Sequence, residues 1–130
     1  MTTTVLLIGH GSRAPAAAAA MERVARCLAE RQGWRVAVGY LELSEPALEQ
    51  AAQRAIAEGA RELLVVPYLL HLGMHIAEDL PRRLRALAEA HPGVLIRLGP
   101  HLGFDERLVD IVADRARAAA AAPEIGAAAR

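Results

Sequence analysis

Four short apolar runs punctuate the chain: Val5 to Ile8, Val36 to Leu41, Leu63 to Leu70 and Val94 to Leu98. Unbroken runs of this length suit strands buried on both faces. Between and after them, apolar residues recur every three or four positions: Met21, Val24 and Leu28; Leu48, Ala52 and Ile56; Leu80, Leu84 and Leu87; Leu108, Ile111 and Val112. That is the period of a helix with one buried stripe. Asp79 before Leu80-Pro81, Asp105 before Glu106, and Ser44-Glu45-Pro46 supply helix starts, while Gly33 and Gly59 supply stops. The pattern predicts four βα units in series. Such alternation implies a three-layer α/β domain: a four-stranded parallel sheet with helices on both faces, joined by right-handed crossovers.

A chain of 130 residues, 54% of them hydrophobic types, carries enough apolar side chains for one globular domain. The domain is expected over 1–122, because the Ala-rich stretches at 16–20 and 118–122 fall in the first and last helices and need no further reading. Pro123 and Gly126 end the last helix and leave residues 123–130 as a flexible tail. No run approaches the roughly 18 apolar residues of a membrane span. Fifteen basic residues, all Arg, balance fifteen acidic ones, so the clustered positive surface of a nucleic-acid binder is not expected. The single Cys27 allows no intrachain disulfide, and no charged-then-apolar segment opens the sequence, so a cytoplasmic location is expected.

In an open parallel sheet, ligands bind beyond the carboxyl ends of the strands, so the chemistry is sought in the four strand-to-helix loops. The first, Gly9-His10-Gly11-Ser12-Arg13, sets an imidazole between two glycines; the second offers Glu42 and Glu45; the third His71 and His75; the fourth His101. His91 precedes a strand, at the opposite edge, where no site is expected. Neutral imidazoles ligate divalent transition metals, and two of them with one carboxylate leave coordination positions free for a substrate. His10 is the strongest candidate, since flanking glycines bare its backbone to a bulky ligand. His75 gains weight from its pairing with His10 across neighbouring loops. Glu42 directly follows its apolar run and is assigned to the cleft, whereas Glu45, before Pro46, is read as structural. His71 either adds a ligand or completes the strand end, and His101 either contacts substrate or shapes its Gly- and Pro-rich turn. Ser12 raises the alternative of a hydrolase, but the Gly-x-Ser-x-Gly spacing is absent. The loop also lacks the Gly-x-Gly-x-x-Gly and Walker patterns of nucleotide sites. The metal ion is the only cofactor-like species implied; no organic cofactor is.

Three blocks then carry a resemblance over nearly the whole chain: Val5 to Arg13, Leu41-Glu42-Leu43-Ser44-Glu45-Pro46, and Val65-Val66-Pro67-Tyr68-Leu69-Leu70 followed by Gly73-Met74-His75 and Asp79-Leu80-Pro81. In this order and spacing they resemble the small class II tetrapyrrole chelatases, the CbiX/SirB family. The resemblance implies the chelatase-like, flavodoxin-like variety of the three-layer fold, and insertion of cobalt, iron or nickel into a sirohydrochlorin-type tetrapyrrole for cobalamin or sirohaem synthesis. Co2+ is the first expectation, with Fe2+ or Ni2+ as alternatives, and a non-catalytic tetrapyrrole- or metal-binding homologue as a further one. It further implies that His10, His75 and Glu42 handle the metal and its protons. Gly11, Ser12, Arg13, His71 and His101 are expected to line the macrocycle, with Arg13 meeting its carboxylates; the remaining arginines are expected on solvated faces. Longer members carry two such halves around a cleft. A chain of one half therefore implies a symmetric homodimer.

Overall fold

A computed structural model describes residues 2–126. The expected series of four βα units is present: β1 (Thr3–Gly9), α1 (Pro15–Gln32), β2 (Arg35–Tyr40), α2 (Leu48–Ala57), β3 (Glu62–Pro67), α3 (Met74–Ala90), β4 (Leu95–Leu98) and α4 (Glu106–Ala120). The strands form one parallel sheet in the order β2-β1-β3-β4. The expected tail beyond Pro123 lies partly outside the described residues. Among the described residues no helix is long and apolar enough to cross a membrane.

β1 is central, and every residue from Thr4 to Gly9 is buried, as a continuous apolar run requires of a strand covered on both faces. Leu6 and Ile8 face α2 and α3, joining Leu48, Ala52, Leu63, Val65, Leu80 and Leu84 in the larger core cluster. Val5 and Leu7 face α1 and pack with Met21, Ala25 and Tyr40. Each fully buried Leu or Ile contributes about 1.5–3 kcal/mol over its exposed state, so the strand that fixes the first loop is also the most strongly held. Gly33 ends α1 in the left-handed conformation at φ 70°, its N–H donating to the Ala29 carbonyl, as expected of a glycine stop.

Several local expectations are corrected. Helix α3 starts at Met74, not at Asp79, and runs through Pro81. Pro81 gives up one helical hydrogen bond, which the burial of Leu80, Leu84 and Leu87 on either side offsets. Helix α2 starts at Leu48, two residues beyond Pro46, with the Gln50 side chain accepting the Ala47 N–H. The run from Leu63 to Leu70 holds a strand only as far as Pro67, and β4 is largely exposed instead of covered on both faces. Helix α4, although amphipathic, buries none of its residues.

Candidate active site at the carboxyl edge of the sheet

Past Gly9, β1 and β2 continue to pair without being regular strands: the Leu41 N–H donates to the Gly9 carbonyl at 2.9 Å and the Glu42 N–H to the His10 carbonyl at 3.1 Å. This holds His10 Nε2 3.0 Å from Glu42 Oε1, with both side chains about half exposed. Two features fix the crossing of the loops. Leu43 adopts a left-handed φ of 64°, which turns the chain so that the Ser44 N–H reaches the Glu42 carbonyl at 2.7 Å. The Ser44 hydroxyl then accepts the Ser12 N–H at 2.9 Å and donates to the Ser12 carbonyl at 2.8 Å. Gly11, at φ 102°, sits directly against the Glu42 carbonyl.

The other side of His10 is bounded by the exit of β3, which stays paired with β1 through Tyr68 N–H to the Ile8 carbonyl at 2.7 Å. His71 lies exposed in the following loop. His75, expected in that loop, is the second residue of α3 and also exposed. One turn later Asp79 bonds Arg82, and that bond first, then the charges of Arg82, Arg83 and His75, holds its carboxyl below the ordinary range.

Arg83, a further turn along, corrects the expectation of a solvated arginine. Only 20% of its side chain is exposed. It donates Nε and Nη2 to Glu49 at 2.7 and 2.6 Å and Nη1 to the Leu41 carbonyl at 2.9 Å, tying α3 to α2 and to the residue preceding Glu42. The same bond is the leading cause that lowers the Glu49 carboxyl and raises the Arg83 guanidinium.

At the exit of β4, the Leu102 N–H bonds the Leu69 carbonyl at 3.1 Å, and His101 is half buried with its ring against Gly103. Asp105 caps α4 as expected, accepting the Arg107 N–H at 2.9 Å. Its carboxyl is strongly lowered by the Arg107 side chain.

His10, Glu42, His71, His75 and His101 thus share one edge, and His91 caps the far end of α3 at the other. Of the expected metal-handling residues, His10 and Glu42 touch; no three His, Cys, Asp or Glu side chains converge as a metal-holding group among the described residues. Arg13, three residues after His10, is exposed, and the Ser12 hydroxyl accepts the Ala14 N–H at 3.0 Å. Leu43, Leu70, Leu72, Met74, Leu102 and Phe104 add an exposed apolar rim from three of the loops. The cavity beside His10 has a volume of only about 230 Å³, lined by Tyr40, Ser44 and Tyr68 among others. Ser44 and Arg83 were not singled out by sequence as site residues. The spacing of Arg83 four residues after Asp79 on one helix face was the available signal.

Residues 4–119 match the CbiX family model. A sirohydrochlorin cobaltochelatase of Methanocaldococcus jannaschii is 31% identical, over 86% of this chain and 96% of that protein. A sirohydrochlorin ferrochelatase of Priestia megaterium is 35% identical over 85% of this chain, which spans 42% of that relative. Among solved structures, the sirohydrochlorin chelatase SirB from Bacillus subtilis subspecies spizizenii in complex with cobalt superposes with a TM-score of 0.83 at 29% identity, over 90% of this chain and 50% of that one. A CbiX protein from Marinobacter aquaeolei VT8 gives 0.75 at 30% identity, over 88% and 94%. With its sheet order, its histidine loop and its match over nearly the full length, the chain belongs to the CbiX family.

Proposed function

We propose that this protein is a sirohydrochlorin metal chelatase, acting on Co2+, and that His10, Glu42 and His75 carry the reaction. The observation that bears most weight is the contact of His10 Nε2 with Glu42 Oε1 at 3.0 Å. Metal–ligand bonds of about 2.1 Å to two atoms so spaced subtend roughly 90° at the ion, the angle between neighbouring ligands of a six-coordinate one. Insertion replaces two pyrrole N–H protons by one divalent ion. His10 and Glu42 hold the incoming ion as it sheds water, and Glu42 offsets its charge. As the macrocycle nitrogens take over the ion, the freed carboxylate and imidazole accept the two displaced protons. His75, exposed on the first turn of α3, is the further donor of this reading, while Gly11, Ser12, Arg13, His71 and His101 receive the macrocycle and its carboxylates.

The exposed apolar rim suits the face of a flat macrocycle. The cavity beside His10 is too small to enclose one, which supports a homodimer in which two copies close over the substrate. Support for cobalt lies in the size classes: the relative spanned to 96% of its length is a cobaltochelatase, while the ferrochelatase is spanned to 42%. A cytoplasmic enzyme comprising one domain over 1–122 is the setting this reading implies.

The test mixes purified protein with sirohydrochlorin and Co2+, Fe2+ or Ni2+ and follows the macrocycle's absorption. Insertion faster than the protein-free rate is expected, with cobalt fastest and His10→Ala inactive. No acceleration with any ion overturns the proposal; acceleration with Fe2+ alone reassigns the metal.

A further inference from the structure

Leu43 is held in a conformation that its own side chain opposes. The Ser44 N–H closes a three-residue turn onto the Glu42 carbonyl at 2.7 Å, and Leu43 at the centre of that turn has φ 64°. This is the rare, strained form of the γ-turn, in which a β-carbon crowds the backbone. Among the described residues every other positive φ belongs to a glycine. Glycine, or asparagine with its short polar side chain, is what such a position ordinarily takes.

The core gives no reason for a leucine there either. Its side chain is 59% exposed and joins neither core cluster. The turn is enforced from outside. The Ser44 hydroxyl holds the N–H and the carbonyl of Ser12, at 2.9 and 2.8 Å, and Gly11 leaves the space that the Glu42 carbonyl occupies. A residue kept under strain by its surroundings, next to a reactive pair, calls for a functional reason.

The sheet order supplies one. Because β1 lies between β2 and β3, Leu43 beyond β2 and Leu70 beyond β3 stand on opposite sides of the loop that carries His10. Strands two apart in a sheet are separated by about 10 Å, on the order of the width of a tetrapyrrole ring. The remaining exposed apolar residues of this edge, Leu72, Met74, Leu102 and Phe104, follow β3 and β4. On the β2 side Leu43 is the one large exposed apolar side chain among the described residues of that edge. The geometry points to Leu43 as the residue that registers the macrocycle: the flat ring rests on Leu43 at one side and on the β3 side of the rim at the other, which centres it over His10 and Glu42. This rests on the chelatase reading above and narrows it from a rim to one specificity-determining position.

Titration of metal-free sirohydrochlorin into the full chain, thermal melts, and insertion rates at varied tetrapyrrole and varied Co2+ test this. Leu43→Asn suits the turn and removes the apolar surface. It is expected to melt no lower than the wild type and to bind the macrocycle about tenfold more weakly, the loss expected when one leucine's apolar contact is removed. Its KM for tetrapyrrole should rise while its KM for Co2+ holds. Leu43→Met keeps an apolar side chain and should recover most of the affinity. Unchanged macrocycle affinity in Leu43→Asn overturns the inference. So does a lower melting temperature, which would make Leu43 structural, or a rise in the KM for Co2+ alone, which would make it a prop for Glu42. A wild type that binds the macrocycle, with affinity lost in Leu43→Asn, but inserts no metal removes the chelatase reading and leaves this one. Metal insertion at the same tetrapyrrole KM in both does the reverse.

Discussion

The carbonyl oxygen of Glu42 lies 1.6 Å from where a β-carbon on Gly11 would stand. The obstruction is backbone against backbone, so no side-chain rotation relieves it. Gly11 also holds φ 102°, which costs a residue with a β-carbon about 1–2 kcal/mol by itself. Gly11→Ala is expected to lower the melting temperature and to drive the first and second loops apart, separating His10 from Glu42. Thermal melts and the metal-insertion rate check both halves, and a variant of wild-type stability and rate would show that the loops do not cross so closely.

Glu42→Gln removes the charge while keeping an oxygen that can face His10. Because the Glu42 side chain is more than half exposed, stability should change by no more than about 0.5 kcal/mol. The insertion rate should fall at least 10²-fold, the lower end of what a positioned proton acceptor contributes. His91→Ala, at the opposite edge, should leave the rate unchanged; the pair of rates, measured side by side, checks the placement of the site.

Ser44→Ala deletes both bonds to Ser12 and leaves the partly buried Ser12 N–H without its acceptor, at a cost of about 1–3 kcal/mol. Ser44→Thr retains the hydroxyl and should recover most of the loss. Chemical denaturation of the two variants decides; equal stability would remove the hydroxyl's role as the clip between the loops.

Arg83→Met is expected to cost about 1–3 kcal/mol, since it strands Glu49 and the Leu41 carbonyl while part of that charge remains reachable by water. The loss is pH-dependent with a definite sign. Arg83 holds the folded-state Glu49 carboxyl below its ordinary value, so the stabilisation is fully present above the unfolded carboxylate value of about 4.3 and fades as the pH falls through the lower folded value. The gap between wild type and variant should therefore be widest near neutral pH and close in acid. Denaturation midpoints across that range measure it, and a gap that widened in acid would assign the bond to another pair.

Much of this was readable in the amino-acid order because the signals were strong and local. Val5 to Ile8 could be little but a buried strand, and His10 between two glycines at its end marked the site edge. Asp79 misled because an acidic residue before Leu-Pro imitates a helix start; its carboxylate instead serves Arg82 and Arg83 inside a helix that buried leucines carry across Pro81. Ser44 was illegible as a site residue because its role spans 32 positions of sequence to Ser12, and Arg83 showed only its spacing from Asp79, since no local period reports its reach of 34 positions to Glu49. Leu108, Ile111 and Val112 carried the right period for α4, but a period says that a stripe needs covering and not which surface covers it.

His75, Asp79 and Arg83 stand four residues apart on one row of α3, and Arg83 grips the carbonyl immediately before Glu42. The helix therefore behaves as a single lever with an imidazole near one end and a hand on the backbone just ahead of the carboxylate two turns along. Any shift of α3 that moves His75 also pulls on the segment that carries Glu42. The two proposed donors, on separate segments of the chain, are thereby linked through one largely buried guanidinium, so that a movement of one segment is felt by the other.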